Sequence, residues 1–146
     1  MNCTFFGHHD APSSIKPKLY QTIVDLILDE RVNMFYVGNQ GNFDRMVIAC
    51  LKKAKEVYAE IDYVVVLAYM PTEKRTAWND CGEQTIYPDG LETVPRRFAI
   101  SRRNTWMLGR ADVVVTYVKL SVGGAARFKL LAEKKRKKVI NLAEIK

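Results

Sequence analysis

Two spacings of apolar residues alternate along the chain, and they predict strands that alternate with helices. Short, mainly apolar runs, typical of buried strands, lie at 3–6, 34–37, 63–69, 112–118 and 139–142. Apolar residues at helical spacing fill most of the intervals, as in Leu19, Ile23 and Leu26 or Val47, Leu51 and Ala54. This order implies parallel pairing with right-handed crossovers. Residues 1–146 are therefore predicted to form one Rossmann-like, three-layer αβα domain with a mainly parallel sheet of about five strands.

Residues 71–93 interrupt the pattern. They combine Trp78, Asn79, Asp80, Gly82 and the run Pro88-Asp89-Gly90, which favours a long irregular loop. Loops of this length in a compact domain are usually functional or mobile.

Length and composition agree with a single domain. The 146 residues are 48% hydrophobic, and no apolar run reaches the roughly 20 residues of a membrane helix. The first residues lack signal-peptide features, so we expect a cytoplasmic protein with no membrane contact. Cys3, Cys50 and Cys81 are odd in number and widely spaced, which predicts free thiols, with Cys50 in the core.

The charge is unevenly placed. Residues 1–70 hold 7 basic and 8 acidic side chains, whereas residues 71–146 hold 16 basic and 8 acidic ones, which accounts for the net charge of +7. The excess lies in an arginine group between 96 and 110 and in a basic run over 134–138. Such asymmetry suits a phosphate-rich partner, although the basic run is also typical of a solvated helix face.

Ligands of open parallel sheets bind beyond the carboxyl ends of the strands. Glycines there let the backbone approach a ligand, and free N–H groups at helix starts favour phosphate or carboxylate. We therefore predict a ligand site where the first, second and fourth strand ends meet. The candidate ligand-binding residues are Gly7, His8, Gly38, Asn39, Gln40, Gly41, Asn42, Asp44, Arg103, Asn104, Gly123 and Gly124.

Two of these residues have alternative interpretations. Asp44 would accept hydrogen bonds from a ribose hydroxyl or a base edge, or it would only cap its helix. Arg103 would form a bidentate contact with phosphate, or it would be a surface arginine. His8 and His9 have no third ligand at metal spacing, and no serine or cysteine triad is visible, so we predict neither a metal nor a cofactor.

Several of these segments resemble the YpsA-like branch of the SLOG superfamily. The resemblance rests on Gly7-His8, on the run from Val37 to Asp44, on Arg103-Asn104-Thr105-Trp106-Met107 before Ala111-Asp112, and on Gly123-Gly124. The superfamily also includes LOG-type phosphoribohydrolases and the DNA-processing protein DprA. The resemblance implies a Rossmann-like sheet that binds nucleotides or nucleotide-derived ligands, and pairing of subunits by analogy.

The chain departs from the LOG pattern at the positions that carry catalysis. The arginine and lysine of that pattern fall on Arg103 and Asn104, and its motif glutamate falls on Leu130. Without that carboxylate the resemblance supplies no general acid or base. Val122 replaces the motif's proline, and Ala126-Arg127 replace its glycine and threonine. His9 stands where the YpsA-like pattern commonly has arginine.

Three functions remain open. The preferred one is binding of a nucleotide-like small molecule, such as an ADP-ribose, NAD or nucleoside-phosphate derivative, by a sensor or sequestering domain. The second is a nucleotide N-glycosidase, phosphoribohydrolase or deoxyribosyltransferase-like enzyme, with Asp44 the best catalytic candidate and Glu92 the alternative. The third, ranked lower, is single-stranded nucleic-acid binding, with Trp78, Tyr87, Phe98 and Trp106 as possible stacking surfaces.

Overall fold

The computed structural model describes residues 1–70 and 84–144. Strands and helices alternate as predicted. The strands are β1 (Asn2–Gly7), β2 (Met34–Val37), β3 (Asp62–Val66), β4 (Thr85–Ile86), β5 (Val113–Tyr117) and β6 (Lys138–Asn141). The helices are α1 (Lys16–Asp29), α2 (Gly41–Val57), α3 (Ala99–Arg110) and α4 (Gly124–Lys134).

All six strands are parallel, in the order β4-β3-β2-β1-β5-β6. The α/β class is confirmed, but the expected number of about five strands is one too low. The additional strand is β4, which pairs with Val65 and Val66 at the end of β3. A two-residue edge strand is too short to produce a hydrophobic period, so the sequence pattern could not reveal it.

The predicted loop 71–93 is therefore wrong over its second half, which contains β4 and a 3-10 turn at Leu91–Thr93. Its first half, with Trp78, Asn79, Asp80 and Gly82, lies outside the described residues, as does Cys81.

The direction of strand order reverses between β1 and β5. From β1 the chain adds β2, β3 and β4 on one side, and then returns to place β5 and β6 on the other side of β1. In such sheets the loops beyond the carboxyl ends diverge at the reversal and leave a crevice. The β1/β5 boundary is therefore where this fold offers a ligand site.

Alternate residues of each strand enter two separate cores. On one face Phe5, Phe35 and Val65 pack against α1 and α2, in a cluster that includes Leu19 and Leu51. On the other face lies a second cluster, which joins strand residues to α3 and α4. Its members include Phe6, Tyr36, Val66, Met107 and Phe128.

Two further expectations concern the cysteines and the membrane. Cys3 and Cys50 are free and buried, and Cys50 packs in the core as predicted. No helix within residues 1–70 and 84–144 combines the length and the apolar character needed to cross a membrane.

Candidate ligand site at the strand reversal

A cavity of about 420 Å³ opens at the β1/β5 reversal. We call it the inner cavity. Eight of the twelve predicted ligand-binding residues line it: Gly7, His8, Gln40, Asp44, Arg103, Asn104, Gly123 and Gly124. The other four, Gly38, Asn39, Gly41 and Asn42, are not part of its lining.

The apolar part of the wall was missed by sequence reasoning. Ile100 and Met107 line the inner cavity from α3, and Leu120 and Val122 line it from the loop after β5. Ile100 and Met107 lie three residues before and four residues after Arg103, so helical spacing from that arginine was the signal that could have identified them.

Gly38 leaves room for two side chains beside the inner cavity. It is buried at the end of β2, and a Cβ atom there would lie 2.7 Å from Nη1 of Arg103 and 2.8 Å from Oδ2 of Asp44. Distances this short are steric clashes. The absent side chain thus allows the carboxylate and the guanidinium to converge.

Gly41 and Gly7 allow the start of α2 to approach the end of β1 and the loop that follows it. Gly41 has a φ of +85°, and a Cβ there would lie 2.6 Å from the Cα of His9. The N–H of Asn42 donates to the carbonyl of His9 at 2.7 Å. A Cβ on Gly7 would overlap the ring of Phe43. These contacts pack the start of α2 against the loop that follows β1.

Arg103 is buried, with 2% of its surface exposed, so the alternative of a surface arginine is wrong. Its Nη1 donates to the carbonyl of Val66 at 2.9 Å, and its Nε donates to Oδ1 of Asn104 at 2.8 Å. Burial lowers the pKa of Arg103, while the charges of Asp44 and Tyr69 raise it. A buried, hydrogen-bonded guanidinium in a cavity wall is a strong site for an anionic group.

Asp44 caps the first turn of its helix and also borders the inner cavity. It lies in the first turn of α2, and its Oδ2 accepts the N–H of Gln40 at 2.9 Å, which confirms the capping interpretation. It also lines the inner cavity. Burial raises the pKa of Asp44 to about 6, against the opposing effects of the Arg103 charge and the Gln40 N–H. Perturbed carboxylates of this kind are common in functional sites.

His8 connects the loop after β1 to the loop after β5. Its Nε2 accepts the N–H groups of Lys119 and Leu120 at 3.0 and 3.4 Å, and its ring meets Tyr117 edge-on. The imidazole thus connects two loops that both line the inner cavity. Within residues 1–70 and 84–144, no three His, Cys, Asp or Glu side chains are grouped so that they could hold a metal.

The alternative catalytic candidate and the position of the missing LOG glutamate both lie elsewhere. Glu92 is exposed in the 3-10 turn at Leu91–Thr93, and Leu130, where the LOG glutamate would fall, is 54% exposed on α4. Neither lines the inner cavity. Asp10 and Asp44 are the carboxylates of its described lining.

The stacking candidates lie in different environments. Tyr87 packs against the core beside α1 and α2, and Trp106 packs edge-on against Tyr36. Phe98 is 49% exposed, whereas Trp78 lies outside the described residues.

Comparison with known proteins gives a likeness of fold. No family model matches the chain, and no curated protein matches it. Among solved structures, DNA processing protein A (DprA) from Streptococcus pneumoniae superposes over 94% of this chain with a TM-score of 0.69 and 13% identity. DprA from Helicobacter pylori, described for its single-stranded DNA binding mode, superposes over 95% with a TM-score of 0.65 and 12% identity. This chain spans 48% and 63% of their lengths. It therefore shares the Rossmann-like fold of these two DprA chains.

Proposed function

We propose that this domain binds single-stranded nucleic acid and that the inner cavity holds one nucleotide of the strand. The observation that carries the proposal is the buried Arg103 guanidinium in the wall of a cavity at the strand reversal. The fold shared with DprA from Helicobacter pylori, whose single-stranded DNA binding is described, supports nucleic acid over the small molecule preferred from sequence.

The chemistry of the inner cavity fits a nucleotide. Two hydrogen bonds occupy two of the five N–H donors of Arg103, which leaves donors for a phosphate oxygen. The start of α4 at Gly124 borders the cavity, and the amino end of a helix favours an anion. Ile100 and Met107 supply an apolar surface for a base.

The charge around the inner cavity fits a strand longer than one nucleotide. Residues 95–110, which include α3, contain five arginines and no carboxylate. Neutralising phosphates releases condensed counterions, so affinity should fall as salt increases. Binding of a single nucleotide would show a smaller dependence because fewer phosphates are involved.

The test is fluorescence anisotropy with a labelled 20-nucleotide oligothymidylate at 50 and 200 mM salt. We expect binding that weakens at least tenfold between the two concentrations. Val122 is 71% exposed at the cavity, so charge can be added there without disturbing the core. Val122→Glu should weaken binding about fivefold through repulsion of phosphate, and the matched control Val122→Lys should not weaken it. Absence of binding at 50 mM salt, or equal loss in both variants, would contradict the proposal.

A second candidate is a free nucleotide-derived ligand, as the sequence resemblance to the YpsA-like branch would imply. The observation that favours it is the cavity volume of about 420 Å³, which lies in the range of small-molecule sites. Thermal unfolding with AMP, ADP-ribose and NAD tests it. A rise in Tm with one of these compounds, together with no oligonucleotide binding, would replace the first candidate by the second.

A further inference from the structure

A second cavity, of about 690 Å³, lies on the other side of α3. We call it the outer cavity. Phe98, Arg102, Thr105 and Trp106 line it from α3 and the residue before it, and Asp89 and Leu91 line it from the segment after β4. Its volume also falls in the range of ligand sites.

Helix geometry makes α3 the partition between the two cavities. Arg103, Asn104 and Met107 face the inner cavity at the three- and four-residue spacing of one helical face. Arg102, Thr105 and Trp106 follow the same spacing on the other face. A helix is roughly 10 Å wide, so a single extended ligand that crosses α3 can enter both cavities.

The outer cavity combines an aromatic surface with a guanidinium. The ring of Phe98 is 49% exposed, with Arg97 over it at 4.8 Å from the ring centroid. Arg102 is exposed and forms no hydrogen bond or ion pair with another described residue. An aromatic face beside a free guanidinium matches a nucleobase and its phosphate.

Trp106 gives this wall rigidity. Its indole meets Tyr36 edge-on at a centroid distance of 5.6 Å, and the guanidinium of Arg110 lies 4.1 Å from the indole centroid. These contacts hold the indole against the core, so this part of the outer cavity wall is already ordered before a ligand binds.

We propose that the outer cavity is a second nucleotide site, where a base stacks on Phe98 and the phosphate pairs with Arg102. A single strand then occupies both cavities and crosses α3. This inference rests on the proposed function, and it adds a residue-level path for the strand. It explains why one helix presents arginines to both of its sides.

Oligonucleotide length distinguishes one site from two. A trinucleotide is short enough to be held at the inner cavity alone, whereas a 20-nucleotide strand reaches both. Phe98→Ala should weaken binding of the long strand about tenfold, since stacking on an aromatic ring is lost, and should leave trinucleotide affinity unchanged. Phe98→Tyr keeps a ring and should retain the affinity for the long strand.

Arg102 supplies an independent measurement. Arg102→Gln should weaken binding of the long strand several-fold. It should also reduce the slope of log affinity against log salt by the amount expected for one phosphate contact, whereas Arg102→Lys should retain the slope. Leu28→Ala, which removes a side chain 59% exposed on α1, is the control for loss of exposed apolar surface. Circular dichroism melting of each variant verifies that the fold is intact.

The outcomes separate the two proposals. If Phe98→Ala and Arg102→Gln bind the long strand like the parent while Val122→Glu binds it more weakly, the outer site is overturned and the proposed function stands. If the parent binds no oligonucleotide, both are overturned. Crosslinking with a 5-iodouracil oligonucleotide should give an adduct on the ring of Phe98 or Trp106, located at the single residue by fragment-ion mass spectrometry because the inner-cavity residues Ile100 and Met107 are close in sequence. Adducts confined to the inner cavity would also overturn the outer site.

Discussion

The two faces of the sheet differ in what they bury. Among the described residues, the cluster beside α1 and α2 contains 24 buried residues, against 10 in the cluster beside α3 and α4. The smaller side also contains the buried Arg103 and the hydroxyls of Thr4 and Thr116. The α1/α2 face therefore supplies most of the apolar burial. The α3/α4 face has a smaller apolar cluster and contains these buried polar groups and the two cavities.

The largest expected effect is on the α1/α2 face. Leu51 in α2 is completely buried, so Leu51→Ala should lower the free energy of unfolding by about 3 kcal/mol through lost burial and a cavity. Urea denaturation measures this change. Oligonucleotide affinity, measured where the variant remains folded, should match that of the parent because Leu51 lies away from both cavities.

Leu28→Ala on α1 is the matched control and should change stability by less than about 0.5 kcal/mol, since Leu28 is 59% exposed. If Leu51→Ala is fully folded but binds the oligonucleotide more weakly, packing on the α1/α2 face also affects binding on the other face.

A smaller effect, of opposite sign, is expected at Asp44, which lies on α2 and lines the inner cavity. Asp44 has a folded-state pKa of about 6, against an unfolded value of about 3.9. Between these values the folded state holds more protons than the unfolded state, so the free energy of unfolding falls as pH rises from about 4 to about 6. Asp44→Asn removes this titration. It should stabilise the protein by about 2 to 3 kcal/mol at pH 7 and by little at pH 4.

Urea denaturation of parent and variant at both pH values tests this difference. Asp29→Asn, which removes an exposed carboxylate at the end of α1, controls for the change in net charge. A stability difference that is the same at pH 4 and pH 7 would refute the assignment of the effect to Asp44 ionisation.

The smallest effects compare two buried threonines of the α3/α4 face. Thr4 donates its hydroxyl to the carbonyl of Tyr36 at 2.9 Å, whereas the buried hydroxyl of Thr116 has no partner among the described residues. Thr4→Val should therefore cost about 1 kcal/mol, and Thr116→Val should be neutral or stabilising by about 1 kcal/mol. Thermal unfolding measures the stability of both variants. Equal destabilisation would mean that the hydroxyl of Thr116 also forms a hydrogen bond.

Much of the fold followed from local sequence because its signals are local. Each buried strand is a mainly apolar run, and alternation with helices favours parallel pairing, which placed Gly7, Asp44, Arg103 and Gly123 near one another. The burial of Arg103 did not follow, because it depends on the carbonyl of Val66, which lies 37 residues away. The strand β4 was missed because two residues carry no period.

The functions of the glycines were harder to predict than their positions. Gly38 and Gly41 both follow β2, yet one makes room for Arg103 and Asp44, and the other adopts a positive φ against His9. Sequence alone cannot distinguish a glycine that accommodates a side chain from one that contacts a ligand, since both appear as a glycine at a turn.

The bridge from His8 to the backbone of Lys119 and Leu120 spans more than a hundred residues of sequence. The wall of the inner cavity therefore exists only when both ends of the chain have folded onto the sheet. Any ligand of this cavity should consequently protect the whole domain from proteolysis, and at a hundred times its Kd it would add about 2.7 kcal/mol to the free energy of unfolding. Limited digestion could thus serve as a ligand screen that requires no knowledge of the reaction.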